Sequence, residues 1–404
     1  MNVDILIVGG GLVGATLAAA LGRSGMRIGL VEARETPSLP ESGFDLRVSA
    51  VTLASRRVLE SIGVWNSLPV ERIQAFRCMV VWDQPGRGEV HFDSADIGEP
   101  ALGYIVENLL LQQALDLRLD ALEGVEIFRP ASVESIDFEI SRVVADVAGT
   151  RVSAKLVVGA DGTSSRVREL AGIDARKSAY GQRALVATVA TEKSHEETAW
   201  QRFLPAGPLA FLPLPRGQSS IVWSTTPSHA RELEYQSDRD FGQSLAAAYE
   251  GRLGEVTAAG ARGTFELVSL HAGSYVRHRI VLVGDAAHTV HPLAGQGVNL
   301  GILDAAALTE VLTASRDQGR DPGRLHTLRK YERWRKGHNV LMRETLGGFN
   351  WLFGAGFVPL RQARNAGLQI TDRIPPLKRW FMAQASGLSG DLPPLARRES
   401  SLNR

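Results

Sequence analysis

The chain has 404 residues, 44% of them hydrophobic and 22% charged, with a net charge of +1. That length suits two or three domains around a large core, and the near-neutral charge gives no reason to expect nucleic acid as a partner. A single cysteine, Cys78, excludes an internal disulfide and fits a reducing compartment, where it reads as a small core residue. The start of the chain, with Asp4 and a glycine-punctuated apolar run, does not read as a signal peptide. No run reaches the ~18 apolar residues of a membrane span, so the expectation is a cytoplasmic protein.

Asp4 to Val8 reads as a buried strand. Gly9, Gly11 and Gly14 follow in G-x-G-x-x-G spacing, then a helical pattern from Ala15 to Ser24 and a second strand from Arg27 to Val31, ending at Glu32. This is the dinucleotide fingerprint inside a βαβ unit. Gly9 allows the tight turn, Gly11 the close approach of a pyrophosphate, and Gly14 the packing of helix on strand. Glu32 stands where an acid accepts hydrogen bonds from the adenosine ribose. The fingerprint does not separate FAD from NAD, and a plain glycine-rich turn is the competing reading.

Residues 45 to 63 read as a loop entering a helix, with Arg47 placed to reach the phosphates or, alternatively, as a solvated surface arginine. From Phe76 to Phe92 the pattern turns to short strands, with Pro85-Gly86 as a hairpin turn. Residues 104 to 121 read as a helix that puts Asn108 and Gln112 on one face, Gln112 as ordinary helix polarity. Leu156 to Gly159 reads as another buried strand, and Asp161-Gly162 as a tight turn opening a helix beside the first glycine loop. A helix cap by Thr163 and Ser164 is the alternative.

From Ala184 to Thr225 the chain reads as all β, a wall for a substrate pocket. Phe211, Leu212, Pro213 and Trp223 are its apolar candidates for substrate contact, with core packing the favoured reading of each. Residues 228 to 260 read as helices and 263 to 275 as a returning strand. Ile280 to Val283 is a further strand, stopping at Gly284-Asp285, where open α/β sheets bind ligands. After Pro292 come Gly295, Gly297, Val298 and Asn299 and a helix to about Leu312. The amino end of that helix offers free N–H groups and partial positive charge. The tail, 341 to 404, carries nine Lys or Arg and four Asp or Glu, with Phe349, Trp351, Phe353, Phe357, Trp380 and Phe381 among them. It reads either as basic helices for an anionic membrane surface or as helices packed on the first domain. No metal-spaced His/Cys cluster is present.

The motifs GGGLVG, GADGTSSRVR and VGDAAHTVHPLAGQGVNLG, in that order, resemble the class A FAD-dependent aromatic hydroxylases, the group with the para-hydroxybenzoate hydroxylase fold. RVSA at 47–50, GVW at 63–65, VWD at 81–83, YIVEN at 104–108, LAFLPLP at 209–215 and PPLK at 375–378 are closer still to the ubiquinone-biosynthesis hydroxylases, the UbiH, UbiF and VisC group. The resemblance implies an α/β fold: a Rossmann-like FAD-binding domain (GR2-type; 1–75, 104–172, 271–340), interleaved with an antiparallel β-sheet substrate domain (76–103, 173–270), and a helical C-terminal region (341–404).

It implies that Gly9, Gly11, Gly14 and Glu32 hold FAD, with Arg47 and Asn108 in contact. Asp161 and Gly162 lie near the phosphates of FAD and NAD(P)H. Asp285 binds the ribityl and pyrophosphate region, and Gly297, Val298 and Asn299 contact the pyrimidine end. Pro292 and Gly295 place the flavin for catalysis; no side chain is assigned as base. FAD is the cofactor, NAD(P)H the transient electron donor and O2 the co-substrate. The implied reaction is transfer of one oxygen atom, activated at flavin C4a, to the ring of a polyprenylated phenol. The implied partners are that phenol, a peripheral membrane surface and other enzymes of ubiquinone synthesis. A hydroxylase of a small soluble phenol and a largely structural flavoprotein subunit are the alternatives.

Overall fold

The computed structural model describes residues 1–83, 88–291, 295–354 and 358–398. Its first sheet runs, in spatial order, through strands Val276–Arg277, Ile280–Leu282, Thr150–Gly159, Asn2–Val8, Ile28–Val31 and Val125–Phe128. All but the outermost pair of these are joined in parallel. Their apolar runs are buried on both faces, as parallel strands under helices require. Register puts Val8 level with Gly159 and Val31, and Gly159 level with Leu282. Four strand ends therefore open on one edge, and Gly9, Glu32, Asp161 and Asp285 come next in the chain at that edge.

Helix α1 (Leu12–Gly22) leaves the first glycine loop. It packs against α3 (Asn108–Asp120, counting Leu53–Ser61 as α2) and against the long apolar helix α7. Between them in the chain come α4 (Arg166–Leu170), α5 (Pro227–Tyr235) and α6 (Asp238–Ala248); α7 itself spans Gln296–Asp317. By length and composition α7 could cross a membrane, but most of it is buried in the core of this domain.

The second sheet has eight strands in the order His288–Thr289, Val256–Ala272, Ala175–Thr191, Gln218–Thr225, Gly207–Pro213, Thr198–Leu204, Cys78–Asp83 and Glu89–Asp93. It is antiparallel except where Thr198–Leu204 runs beside Cys78–Asp83. Strand His288–Thr289 belongs to the Gly284-Asp285 segment, so the first domain's chain is stitched directly into this sheet. A small third sheet pairs Val48–Thr52 and Gln74–Phe76 with Gly103–Glu107.

Three sequence expectations shift. Residues 104–107 are strand, not helix: α3 starts at Asn108, because the β-branched pair Ile105-Val106 pairs with Val48–Thr52. The helical stretch from 228 gives way to strand at Val256. The region boundary at 340/341 falls inside one continuous helix, α8 (Leu325–Gly354). The Pro85-Gly86 turn lies outside the described residues.

The tail does pack on the body of the protein, its first part on the second sheet and its last part on the first domain. Leu346 and Phe353 of α8 and Leu368 of α9 (Val358–Arg373) close over Val81, Val90 and Phe203. Phe353 stacks on Phe203 with ring centroids 3.8 Å apart. A buried ion pair fixes the arrangement: Arg364 Nε donates to Asp83 Oδ2 at 2.8 Å, and its Nη1 caps the carbonyls of Leu352 and Phe353. Helix α10 (Pro375–Ala385) returns to the first domain, where Gln296 Nε2 donates to the Ala385 carbonyl.

Candidate active site

The converging strand ends floor one side of a cavity of about 840 Å³. Gly9 has φ +103°, a backbone that side chains rarely adopt. A Cβ on Gly14 would collide with the Gly9 carbonyl, whereas one on Gly11 would meet nothing and project into open space. The loop thus leaves room for a ligand to approach its backbone at Gly11, as the fingerprint requires. Glu32 lines the cavity and accepts from Gly10 N at 2.7 Å and Arg34 N at 3.0 Å.

On α3, Asn108, Gln112 and Asp116 form a stripe at i, i+4 spacing. Asn108 lines the cavity and accepts from Ser49 Oγ at 2.5 Å. Gln112 donates to the Gly10 carbonyl at 2.8 Å and to Asp116 at 3.0 Å, so it braces the glycine loop instead of merely keeping the helix face polar. Asp116 in turn takes both terminal nitrogens of Arg129, a cavity residue. The i, i+4 spacing was the available signal for this bracing.

Arg47 lines the cavity with its guanidinium 5.8 Å over the Phe265 ring, linking the first domain's loop to the second sheet. That loop is held by Glu107, fully buried, which accepts from Asp45 N at 2.6 Å and pairs with Arg72 through both oxygens. The same pairing raises the Arg72 pKa.

Asp285 lines the cavity, and its side chain is exposed to that open space. The protein atoms crowded around it push its carboxyl pKa up, with His288 and Arg47 partly offsetting the shift, and no described residue donates to its carboxylate. A carboxylate open to the cavity and without a donor among the described residues is free to accept from a ligand. Beside it, Gly295 takes φ +62° as the residue preceding α7, and Gly297 and Val298 line the cavity. Pro292 lies outside the described residues.

Two assigned residues turn out to be braces. Asp161 accepts from Ser165 Oγ at 2.5 Å and Val167 N at 3.0 Å, so its carboxylate is committed to α4, while Gly162 and Thr163 line the cavity. Asn299 is buried and bonds Thr52 N at 3.0 Å, Ala50 O at 2.8 Å and Gly295 O at 3.0 Å, tying the third sheet to the loop before α7.

Of the four apolar candidates for substrate contact, Leu212 faces the cavity and the other three face away, as core packing requires. Successive strand residues point to opposite faces. Ala210, Leu212, Ser220 and Val222 line the cavity, so Phe211, Pro213 and Trp223 point to the reverse face. There Phe211 packs on Tyr249 and Trp223 on His229, under α5 and α6. The apolar string alone does not reveal which alternate set is inward.

Sequence reasoning missed the buried hub behind the site, Asp304 on α7. It accepts from His288 Nε2 at 2.5 Å, Arg335 Nε at 2.7 Å, Asn339 Nδ2 at 3.0 Å and Gly284 N at 3.2 Å. Burial alone would raise its pKa, but His288 and Arg335 outweigh burial and hold it below the usual carboxylate range.

A protein-family profile described as "FAD binding domain" matches residues 2–343. The chain is 41% identical over 385 residues to the ubiquinone hydroxylase UbiL of Rhodospirillum rubrum, covering 95% of this chain and 89% of that protein. It is 38% identical to the 3-demethoxyubiquinol 3-hydroxylase of Escherichia coli, covering 95% and 98%, and 34% identical to the human mitochondrial ubiquinone biosynthesis monooxygenase COQ6, covering 95% and 92%. Among solved structures, p-nitrophenol 4-monooxygenase PnpA of Pseudomonas putida superposes with a TM-score of 0.78 at 20% identity, covering 96% of this chain and 99% of that one, a likeness of fold.

Two outcomes follow from the geometry. Asp304→Asn removes the charge opposing buried Arg335 and is expected to cost about 3–5 kcal/mol of stability and to loosen the Gly284-Asp285 turn; denaturant unfolding and flavin uptake measure both. His291 is fully buried, and burial lowers its pKa to about 4. Its neutral form therefore stabilises fully above the unfolded value near 6.5, and that stability is lost as pH falls from there toward 4. Between pH 7 and pH 5 the loss should be on the order of 2 kcal/mol, and His291→Gln should flatten that slope in paired denaturation curves.

With the geometry and these relatives in agreement, the chain belongs to the FAD-dependent hydroxylases of the ubiquinone-biosynthesis family.

Proposed function

We propose that this protein hydroxylates the aromatic ring of a polyprenylated phenol in ubiquinone synthesis, using FAD, NAD(P)H and O2. The observation that carries this reading is the single cavity that runs from Gly11 and Glu32, past Asp285 and Gly297, to an apolar sheet face. When bound, FAD supplies the redox chemistry, accepting electrons from NAD(P)H and activating O2. The chain's own part is placement and electrostatics. Gly9, Gly11 and Gly14 would admit the pyrophosphate, Glu32 the adenosine ribose, and Asp285 would accept from hydroxyls of the ribityl chain. The amino end of α7 at Gly295 to Val298 would stabilise negative charge on the ring system. The apolar face formed by Val186, Ala199, Ala210 and Val222 keeps water from the reacting ring.

Purified protein supplied with NAD(P)H, a short-chain 2-prenylphenol and isotopically labelled O2 is expected to place one labelled oxygen in the ring. Labelled product from small soluble phenols alone, with prenylphenols untouched, would set the polyprenyl assignment aside.

A lipid-borne substrate calls for contact with a bilayer, and the tail offers the chemistry for it. Trp351, Ile370, Ile374 and Trp380 are 69%, 50%, 44% and 54% exposed, and Arg373 and Arg379 are exposed with them. Removing residues 341–404 would cut α8 and uncover the sheet, so point changes test the idea better. A Trp351→Ser, Trp380→Ser, Arg379→Gln variant should float at least several-fold less with vesicles of anionic lipid than the parent protein, whose binding should weaken with salt. Equal flotation of the two proteins would remove the tail as the membrane contact.

A further inference from the structure

The second sheet, which floors the other side of the cavity, is mostly apolar there, with Gln201, Ser220 and Glu266 as polar exceptions. Gln201, in the middle of strand Thr198–Leu204, is 7% exposed and lines the cavity. Its neighbours across the sheet are Ala210 on one side and Val81 on the other, neither of which offers a polar side chain. Its amide makes no hydrogen bond to any described residue. The next residue, Arg202, shows what pairing looks like on the reverse face: its guanidinium caps the Ala248 carbonyl and meets Glu250. The amide's polar atoms are not sealed in the protein but open onto the cavity, where a group that enters can complete their hydrogen bonds. Ser220, on the same face two strands away, likewise presents a hydroxyl without a partner and lines the cavity.

The charge pattern narrows what that partner is. Among the described residues the cavity's cations, Arg34, Arg47 and Arg129, stand on loops of the first domain, and the titratable group on the sheet strands of the lining is Glu266, an acid. Arg47 meets the sheet over Phe265, four strands from the strand bearing Gln201, so a ring carboxylate beside Gln201 would find no cation among the described residues and would be desolvated. A neutral ring bearing a hydroxyl suits the floor, because an amide can both donate to and accept from a phenol.

On this basis, and resting on the substrate class proposed above, we propose that Gln201 is the substrate-orienting residue: its amide hydrogen-bonds the hydroxyl of an uncharged phenol ring. The small side chains Ala199 and Ala210 beside it leave room for the ring, and Ser220 offers a second polar contact further along the floor. A neutral hydrogen bond in a dry site fixes orientation without adding charge to the chamber.

The test uses FAD-loaded protein titrated with three probes, followed by the change in flavin absorbance: 2-geranylphenol, geranylbenzene, and 3-geranyl-4-hydroxybenzoate. The parent protein is expected to bind geranylphenol about tenfold more tightly than geranylbenzene, the size of one well-made hydrogen bond, and to bind the benzoate least. Gln201→Met, close to glutamine in shape, and Gln201→Leu should hold FAD as the parent does and bind geranylbenzene within about twofold of it. They should lose the preference for the hydroxyl and release more peroxide per NAD(P)H consumed. If one variant fails to hold FAD, the other decides. Variants that keep the full preference for geranylphenol overturn the role of Gln201 alone. Tightest binding of the benzoate by the parent protein overturns the neutral-ring assignment. A parent protein that binds none of the three overturns the polyprenyl-phenol reading, and this inference with it.

Discussion

The site depends on one carboxylate that never touches it. Asp304 sits at zero exposure in α7 and gathers four donors from two other segments: Gly284 and His288 from the stretch after strand Ile280–Leu282, and Arg335 and Asn339 from α8. A buried charge of this kind is tolerable only when every oxygen is satisfied, and it is costly to disturb. Its effect is to fix the backbone at Gly284, and so to aim the next residue, Asp285, into the cavity. The same histidine that donates to Asp304 lies on the short strand that joins the second sheet. One ionic hub therefore sets the relation of the ligand-facing turn to both domains. Tyr331, packed behind it, donates to the Leu282 carbonyl and closes the end of the strand that leads into the turn.

Much of this arrangement was legible in the residues. Three apolar strands each stop at a glycine or acid, and parallel pairing forces their ends to one edge, so Gly9, Glu32 and Asp285 were placed by pattern alone. The glycines were legible for a steric reason: no other residue tolerates the φ at Gly9 or the contact between Gly14 and the Gly9 carbonyl. What was illegible depends on distant partners. Asp304 and Arg335 are 31 residues apart and carry no motif until α7 and α8 pack together. Glu107 and Arg72 likewise meet only when the third sheet forms. Asp161 and Asn299 were read for the ligand, yet their side chains are used by nearby backbone, a choice that depends on side-chain direction and not on spacing.

The substrate wall shows the limit most clearly. In a strand of continuous apolar character both alternate sets look fit for a core, and the whole set changes face with a one-residue shift. Strand Gly207–Pro213 buries Phe211 beneath α5 and α6 because that side has room for a large ring. The cavity side keeps Ala210 and Leu212. Large aromatics invite assignment as ligand contacts, but here they stiffen the sheet from behind. The small residues in front leave the volume, and a lone amide among them carries the specificity.

The tail then takes on a structural meaning that its composition hides. Its basic, aromatic character suggests an appendage, yet α8 grows directly out of the first domain, supplies Arg335 and Asn339 to the Asp304 hub, and continues until Leu346 and Phe353 cover the second sheet. The cluster it covers includes Val290 and Met79, which also line the cavity. A single helix thus touches the hub that aims Asp285 and the wall that bounds the sheet end of the cavity. Arg364 and Asp83 also tie α9 to strand Cys78–Asp83, which lies next to the strand bearing Gln201. The buried face of the tail thus backs the wall of the cavity, while its exposed face is the one proposed to meet a bilayer, and separating those two duties requires changing its exposed side chains while leaving its buried ones intact.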